Sequence, residues 1–268
     1  MKRTTWWVML VVILGGVAAA YYYWQRSLQQ PVPVPVAPQP SKTEAPQAPV
    51  STGPVILHPL ETKEAQPLPV LGESDAAMSE AQAEVLGRKS LTEFIYPDLM
   101  IRRIVATVDN LPRKKAPVRM MPVKSVPPQF ARAGTQDNMV ISPGNSARYT
   151  AYMRVAQAID ARKLVDVYIR FYPLFQRAYE ELGYPKGYFN DRLIETLDDL
   201  LDAPDITGPI KLTQPKVMYE FADPDLEARS AGQKIMIRIG SENAAKVKAK
   251  LREIRSELTG RERKLNRP

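Results

Sequence analysis

The hydrophobic and polar positions divide the chain into three regimes. From Trp6 to Trp24 nineteen consecutive residues carry no charge, close to the roughly 20 that an α-helix needs to cross bilayer hydrocarbon. Trp6 and Trp7 bound one end, and Tyr21, Tyr22, Tyr23 and Trp24 the other, placing amphipathic rings where the two headgroup levels would fall. A transmembrane helix over 6–24 is predicted. From Gln25 to Pro69 no helical or strand period appears. From about residue 70 the apolar residues recur at spacings of three and four, the period of amphipathic helices. The pattern predicts a mainly α fold: one compact helical domain over 70–258 with at most minor β structure, and a basic tail over 259–268.

Within the domain, local punctuation suggests the elements. Ser74 and Asp75 can cap a helix to about Leu86, and Pro97 can open a second that ends before Pro112. Residues 112–145, rich in proline, glycine and basic residues, read as irregular. Asn145 and Ser146 precede a helix to about Ile159, and Asp160 can cap the next, which carries Leu164, Val167, Tyr168, Phe171, Phe175 and Tyr179. Pro173 should kink or break it. Asn190 is placed to cap Asp191–Asp202, with Leu193, Ile194, Leu197, Leu200 and Leu201 on the apolar face. Ile210–Phe221 is the best extended candidate. Asp223-Pro224 opens a short helix to about Ala231, Ile235–Ile239 alternates weakly, and Ser241 caps a last helix to about Leu258.

Composition fixes the setting. Lys2 and Arg3 precede the apolar run and only Arg26 follows closely, so the positive-inside bias puts residues 1–5 in the cytoplasm and the rest outside it. A cleaved signal peptide ending near Ala18-Ala19-Ala20 is the alternative and leaves the bulk of the chain on the same side. Eleven prolines lie between Gln25 and Pro69, which reads as a linker that cannot build a core of its own. Residues 27–85 hold two lysines against seven carboxylates, whereas from residue 86 on there are 32 basic and 22 acidic residues. The folded part is therefore basic, and an envelope protein, an anionic envelope polymer or anionic lipid headgroups fit it as partners; outside the cytoplasm nucleic acid does not. With no cysteine, disulfides and thiol chemistry are excluded.

The sole histidine, His58, falls in the linker stretch, so a serine triad or histidine metal site inside the domain is not expected, nor is a metal or cofactor. Hydrolytic chemistry would rest on carboxylates. The densest set is Glu195, Asp198, Asp199 and Asp202, at i, i+3, i+4 and i+7 on one helix face; a solvated face opposite the leucines is the plainer explanation. Tyr172 and Tyr179 belong to an aromatic stripe that could stack on sugar, though a core accounts for it more simply. Arg148, beside Tyr149, and Arg192 stand near helix starts and could hold an anionic group, with structural pairing as the alternative. In the last helix Ala244, Val247, Leu251, Ile254 and Leu258 repeat at 3, 4, 3 and 4, a coiled-coil-like seam that either docks on the domain or meets a partner; Lys248, Arg252 and Arg255 make its other faces basic.

Several segments resemble a family: LPVLGESD at Leu68–Asp75, VDNL at Val108–Leu111, NSARY at Asn145–Tyr149, YPLFQRAYEELGYP at Tyr172–Pro185, FNDRL at Phe189–Leu193, ADPDLE at Ala222–Glu227 and SAGQK at Ser230–Lys234. Together they resemble domain-of-unknown-function family 3014, found in membrane-anchored proteins of Gram-negative bacteria. The resemblance implies an inner-membrane anchor and a periplasmic domain, and brings no catalytic residue with it. The expectation is a non-enzymatic envelope binding or assembly factor. A carboxylate-dependent enzyme acting on cell-wall glycan and a binder of anionic lipid surfaces are the alternatives.

Overall fold

The computed structural model describes residues 55–60 and 67–265, with side chains to residue 261. The predicted transmembrane segment 6–24, the cytoplasmic residues 1–5, most of the linker and the end of the tail lie outside the described residues. Among those described, no helix is long and apolar enough to cross a membrane.

A 3-10 turn at Leu71–Glu73 leads into α1 (Asp75–Leu86), followed by α2 (Arg88–Phe94) and α3 (Met100–Asn110). Residues 111–149 hold 3-10 turns and an antiparallel pair, β1 (Arg132–Ala133) with β2 (Val140–Ile141). Then come α4 (Thr150–Ala158), α5 (Ala161–Glu181) and α6 (Phe189–Leu201). The extended stretch is a hairpin of two-residue strands, β3 (Leu212–Thr213) and β4 (Glu220–Phe221), in the register Leu212↔Phe221. Helices α7 (Pro224–Glu227), α8 (Ala231–Arg238) and α9 (Ser241–Leu265) complete the chain.

The main core lies between α1, α3, α5 and α6, with Met100, Ile101, Val105, Phe171, Phe175 and Phe189 at its centre. A second cluster joins Val165, Ile194, Leu197 and Leu258, so α9 docks across α5 and α6. The seam from Ala244 to Leu258 is thus packed inside the domain: Leu258 is 0 % and Ala244 5 % exposed. Met139, Leu212, Phe221 and Ile237 make a satellite core under the two strand pairs.

Four local expectations are corrected by tertiary contacts. Helix α3 starts at Met100, not at Pro97. The Asp75 carboxylate reaches over from α1 and accepts from the backbone N–H of Leu99 (2.7 Å) and Met100 (2.8 Å), supplying the acceptors that the start of a helix needs. Neither asparagine read at a helix start, Asn145 or Asn190, works as a cap. Asn145 is fully buried, accepts from Ala131 N–H and Arg148, and donates to the Arg238 carbonyl; Asn190 lies inside the first turn of α6 and donates to the His58 carbonyl. Pro173 does not break α5, which runs unbroken from Ala161 to Glu181 because buried neighbours Tyr172, Leu174 and Phe175 hold both halves in one core. Ile235–Arg238 is helical and Ile239 is the C-cap, with Ser230 capping the start of α8 through Gln233 N–H; five residues are too few to tell a strand from a helix burying Met236 and Ile237.

Residues 55–60, within the stretch read as linker, lie against α6. Asp191 accepts from the N–H groups of Leu57 (3.1 Å) and His58 (2.8 Å), and Tyr188 from that of Leu60 (2.9 Å). Backbone groups of a proline-interrupted segment cannot pair among themselves, and polar side chains of the first turn of α6 satisfy them instead.

Leu99 sits at φ 51°, in the left-handed region, and its side chain is about half exposed. A branched residue there costs roughly 1 kcal/mol that glycine does not. Leu99→Gly is therefore expected to stabilise the domain by about 1 kcal/mol in urea unfolding, since the bond from its N–H to Asp75 is kept; a loss of stability would show that the side chain contributes packing that outweighs the strain.

Candidate functional site

The carboxylates on α6 fan out to different partners. Glu195 pairs with Arg192 (2.7 Å). Asp198 takes two bonds from Arg255 on α9, at 2.5 and 3.0 Å. Asp199 accepts from Ser230 Oγ (2.7 Å) and Gln233 Nε2 (3.1 Å) at the start of α8; burial raises its pKa above the usual carboxylate value, with the Ser230 hydroxyl opposing. Asp202 is exposed. The face the sequence brings together is thus distributed between α8, α9 and the surface. Among the described residues no group of three or more histidine, cysteine or carboxylate side chains could hold a metal ion.

The aromatic stripe lies in the core. Tyr172 and Tyr179 are 4 % and 6 % exposed. Tyr179 stacks on Tyr184 with centroids 4.6 Å apart, and Phe175 on Phe189 at 5.8 Å. Burial drives the phenols of Tyr168 and Tyr172 well above their ordinary pKa. Gln176, one turn beyond Tyr172, accepts from that hydroxyl and from Phe189 N–H, so α5 supplies a cap for α6 from across the core.

The basic candidates are mostly braces. Arg148 donates to the carbonyls of Val126 (2.6 Å) and Pro128 (2.7 Å) and to Asn145 Oδ1 (2.8 Å), pinning the irregular segment, and lies over the Tyr149 ring at 5.4 Å. Lys248 is buried and donates to the Ala203 carbonyl (2.6 Å) and Asp205 (2.8 Å). Arg252 is exposed beside Asp205 and Lys248 in a shallow surface depression. Arg192 belongs to a cluster not anticipated from the sequence. Its Nε lies 3.3 Å from the Asp109 carboxylate as an ion pair without a hydrogen bond, and its Nη2 donates to the Asp109 backbone carbonyl; the Asp109 carboxylate accepts from Arg113 (2.9 Å) and Tyr184 (3.3 Å). The cluster ties α3, α6 and the 183–188 turn together. Its only trace in the sequence is one acid among the apolar positions of α3.

Where α1, α3, α5, α6 and α9 meet, side chains leave a half-enclosed cavity of about 220 Å³. Val85, Ile104, Val165, Phe189, Leu197 and Leu258 are among its walls, and Gln82 is the one amide in the lining. The Gln82 carboxamide oxygen is buried and has no hydrogen-bond partner among the described residues. Each lining residue reads as ordinary core in sequence; only the assembly of five helices creates the space. Gln82, one position from buried Ala81 on α1, is the one local signal of it.

These features define a mainly helical domain braced by ion pairs between helices and organised around an apolar cavity. The chain belongs to the family described as Protein of unknown function (DUF3014), whose model matches residues 100–255. No match was found among curated proteins or among solved structures.

Proposed function

We propose that the chain is a non-enzymatic binding factor of the bacterial cell envelope, held at the inner membrane by Trp6–Trp24 with its helical domain in the periplasm. The observation that carries the binding reading is a contrast in how the domain uses its side chains. The carboxylates Glu195, Asp198 and Asp199 each serve a separate brace between or along helices, whereas an apolar cavity at the junction of five helices is left unfilled by the side chains of the described residues. Acid–base cleavage of a glycan needs two carboxyl groups facing one bond at about 5–10 Å across a cleft. A binding pocket needs an apolar concavity with a few polar groups to orient its occupant. The placement proposal is supported by the uncharged run with aromatic ends and by Lys2 and Arg3 before it.

Two results test this directly. In spheroplasts, protease added from outside should digest the domain of the full-length protein while a cytoplasmic marker survives; protection of the domain until the membrane is lysed would refute the placement. Peptidoglycan incubated with the full-length protein should give an unchanged muropeptide profile. New cleavage products that vanish in Glu195→Gln or Asp199→Asn would establish the enzymatic reading instead.

A further inference from the structure

The floor of the cavity is made of side chains nearly closed to solvent: Val165, Phe175, Phe189 and Leu258 are each at most 2 % exposed. Half-buried Gln82, Val85 and Leu164 are among the other lining residues. The space therefore runs from the surface into the centre of the domain, where a partner's helix or a folded surface cannot follow without prying the five helices apart. Its occupant has to be slender, flexible and apolar along its length. An engineered cavity of about 150 Å³ with similar walls accepts benzene, so 220 Å³ has room for about nine carbon atoms on the same scale.

We infer that this cavity takes the distal methylenes of a fatty-acyl chain. An alkyl chain can thread between helices one carbon wide, and it gains from leaving water in proportion to the apolar surface it hides. The lining is apolar apart from Gln82, whose carboxamide oxygen is shielded from the space, so the cavity offers nothing to a polar end and takes an acyl chain tail first. The inference rests on the binding reading above and names the ligand class for it. A free fatty acid and a phospholipid chain drawn from the bilayer present the same tail chemistry, and a domain tethered near a membrane would meet both.

The test uses the full-length protein in phosphatidylcholine nanodiscs with two probes: palmitic acid bearing a diazirine near its methyl end, and phosphatidylcholine carrying that same acyl chain. After irradiation, cross-linked peptides are mapped by mass spectrometry in the wild type and in Val85→Phe and Leu164→Phe, two substitutions that fill the cavity from half-buried positions. Labels are expected on α1, α5 and α9 peptides that contribute lining residues. Both filled variants should lower that labelling about tenfold, the effect of excluding roughly two methylenes, while their melting temperatures, read alongside, hold or rise. Labelling by the free acid alone identifies a soluble fatty acid as the source, and labelling by the phospholipid identifies the bilayer. Absence of lining labels with both probes, or labelling undiminished in both folded variants, would overturn the inference. Envelope crosslinks that persist in that case would leave the wider binding reading standing, so the two can fail separately.

Discussion

Asp109→Ala is expected to destabilise the domain by about 3 kcal/mol, the lower end of the range for breaking a buried ion pair from one side. Asp109 is 3 % exposed and has the Arg192 and Arg113 guanidiniums and the Tyr184 hydroxyl around it. Removing it leaves Arg192, whose side chain is 14 % exposed, buried with Glu195 as its remaining carboxylate neighbour. Arg113 is nearly half exposed and can return to water, which is why the lower end applies. The double variant Asp109→Leu/Arg192→Met removes both buried charges and should lose less than the single change, because apolar side chains of similar volume avoid the uncompensated charge. Urea unfolding of the three proteins decides it; a double variant at least as unstable as Asp109→Ala would mean that the cluster does more than balance buried charge.

Pro173→Ala should act in the opposite direction and raise stability by about 2 kcal/mol. Pro173 stands exposed in the middle of α5, where it offers no N–H to the Ile169 carbonyl and its ring crowds that group, a penalty near 3 kcal/mol in a helix interior. Freeing the unfolded chain from the ring returns about 0.4–1 kcal/mol of that. The urea midpoint should rise with an unchanged slope. A midpoint that stays put would show that a local adjustment of α5 already relieves the strain. The residue lies between two parts of the cavity wall, Leu164–Tyr168 before it and Phe175 after it, so the same variant also reports whether the shape of α5 at this point matters for what the cavity accepts.

What could be read from the sequence follows the range of the forces involved. Helices α1, α5, α6 and α9 were legible because apolar residues three and four apart must face one core. Asp160 was legible as a cap because it acts on its own helix, accepting from Lys163 N–H at 3.1 Å, as was Asp223, which accepts from Asp225 N–H. The polar side chains whose roles the sequence hid act across the fold. Asp75 caps α3 from α1, Gln176 caps α6 from α5, and Asn145 and Asn190 tie distant backbone to the core. A polar residue before an apolar run looks the same whether its partner is two residues away or a hundred. The candidate site was legible only in its parts: Glu195, Asp198 and Asp199 do share an exposed-looking face, and Arg192 pairs with Glu195 one turn away on the same helix, but Arg255 and Ser230, which claim Asp198 and Asp199, come from pairings no local pattern encodes. The cavity left still less trace, since it consists of what five separate apolar faces fail to fill.

The domain is proposed to bind an envelope component and to do no chemistry on it. In-cell crosslinking of the full-length protein, followed by mass spectrometry of the captured material, tests it most directly, with Val85→Phe and Glu195→Gln run beside the wild type. Reproducible capture of an envelope protein, polymer or lipid is expected, and Glu195→Gln should leave it intact. Capture of nothing from the envelope, or a cleaved glycan product that depends on Glu195, would contradict it.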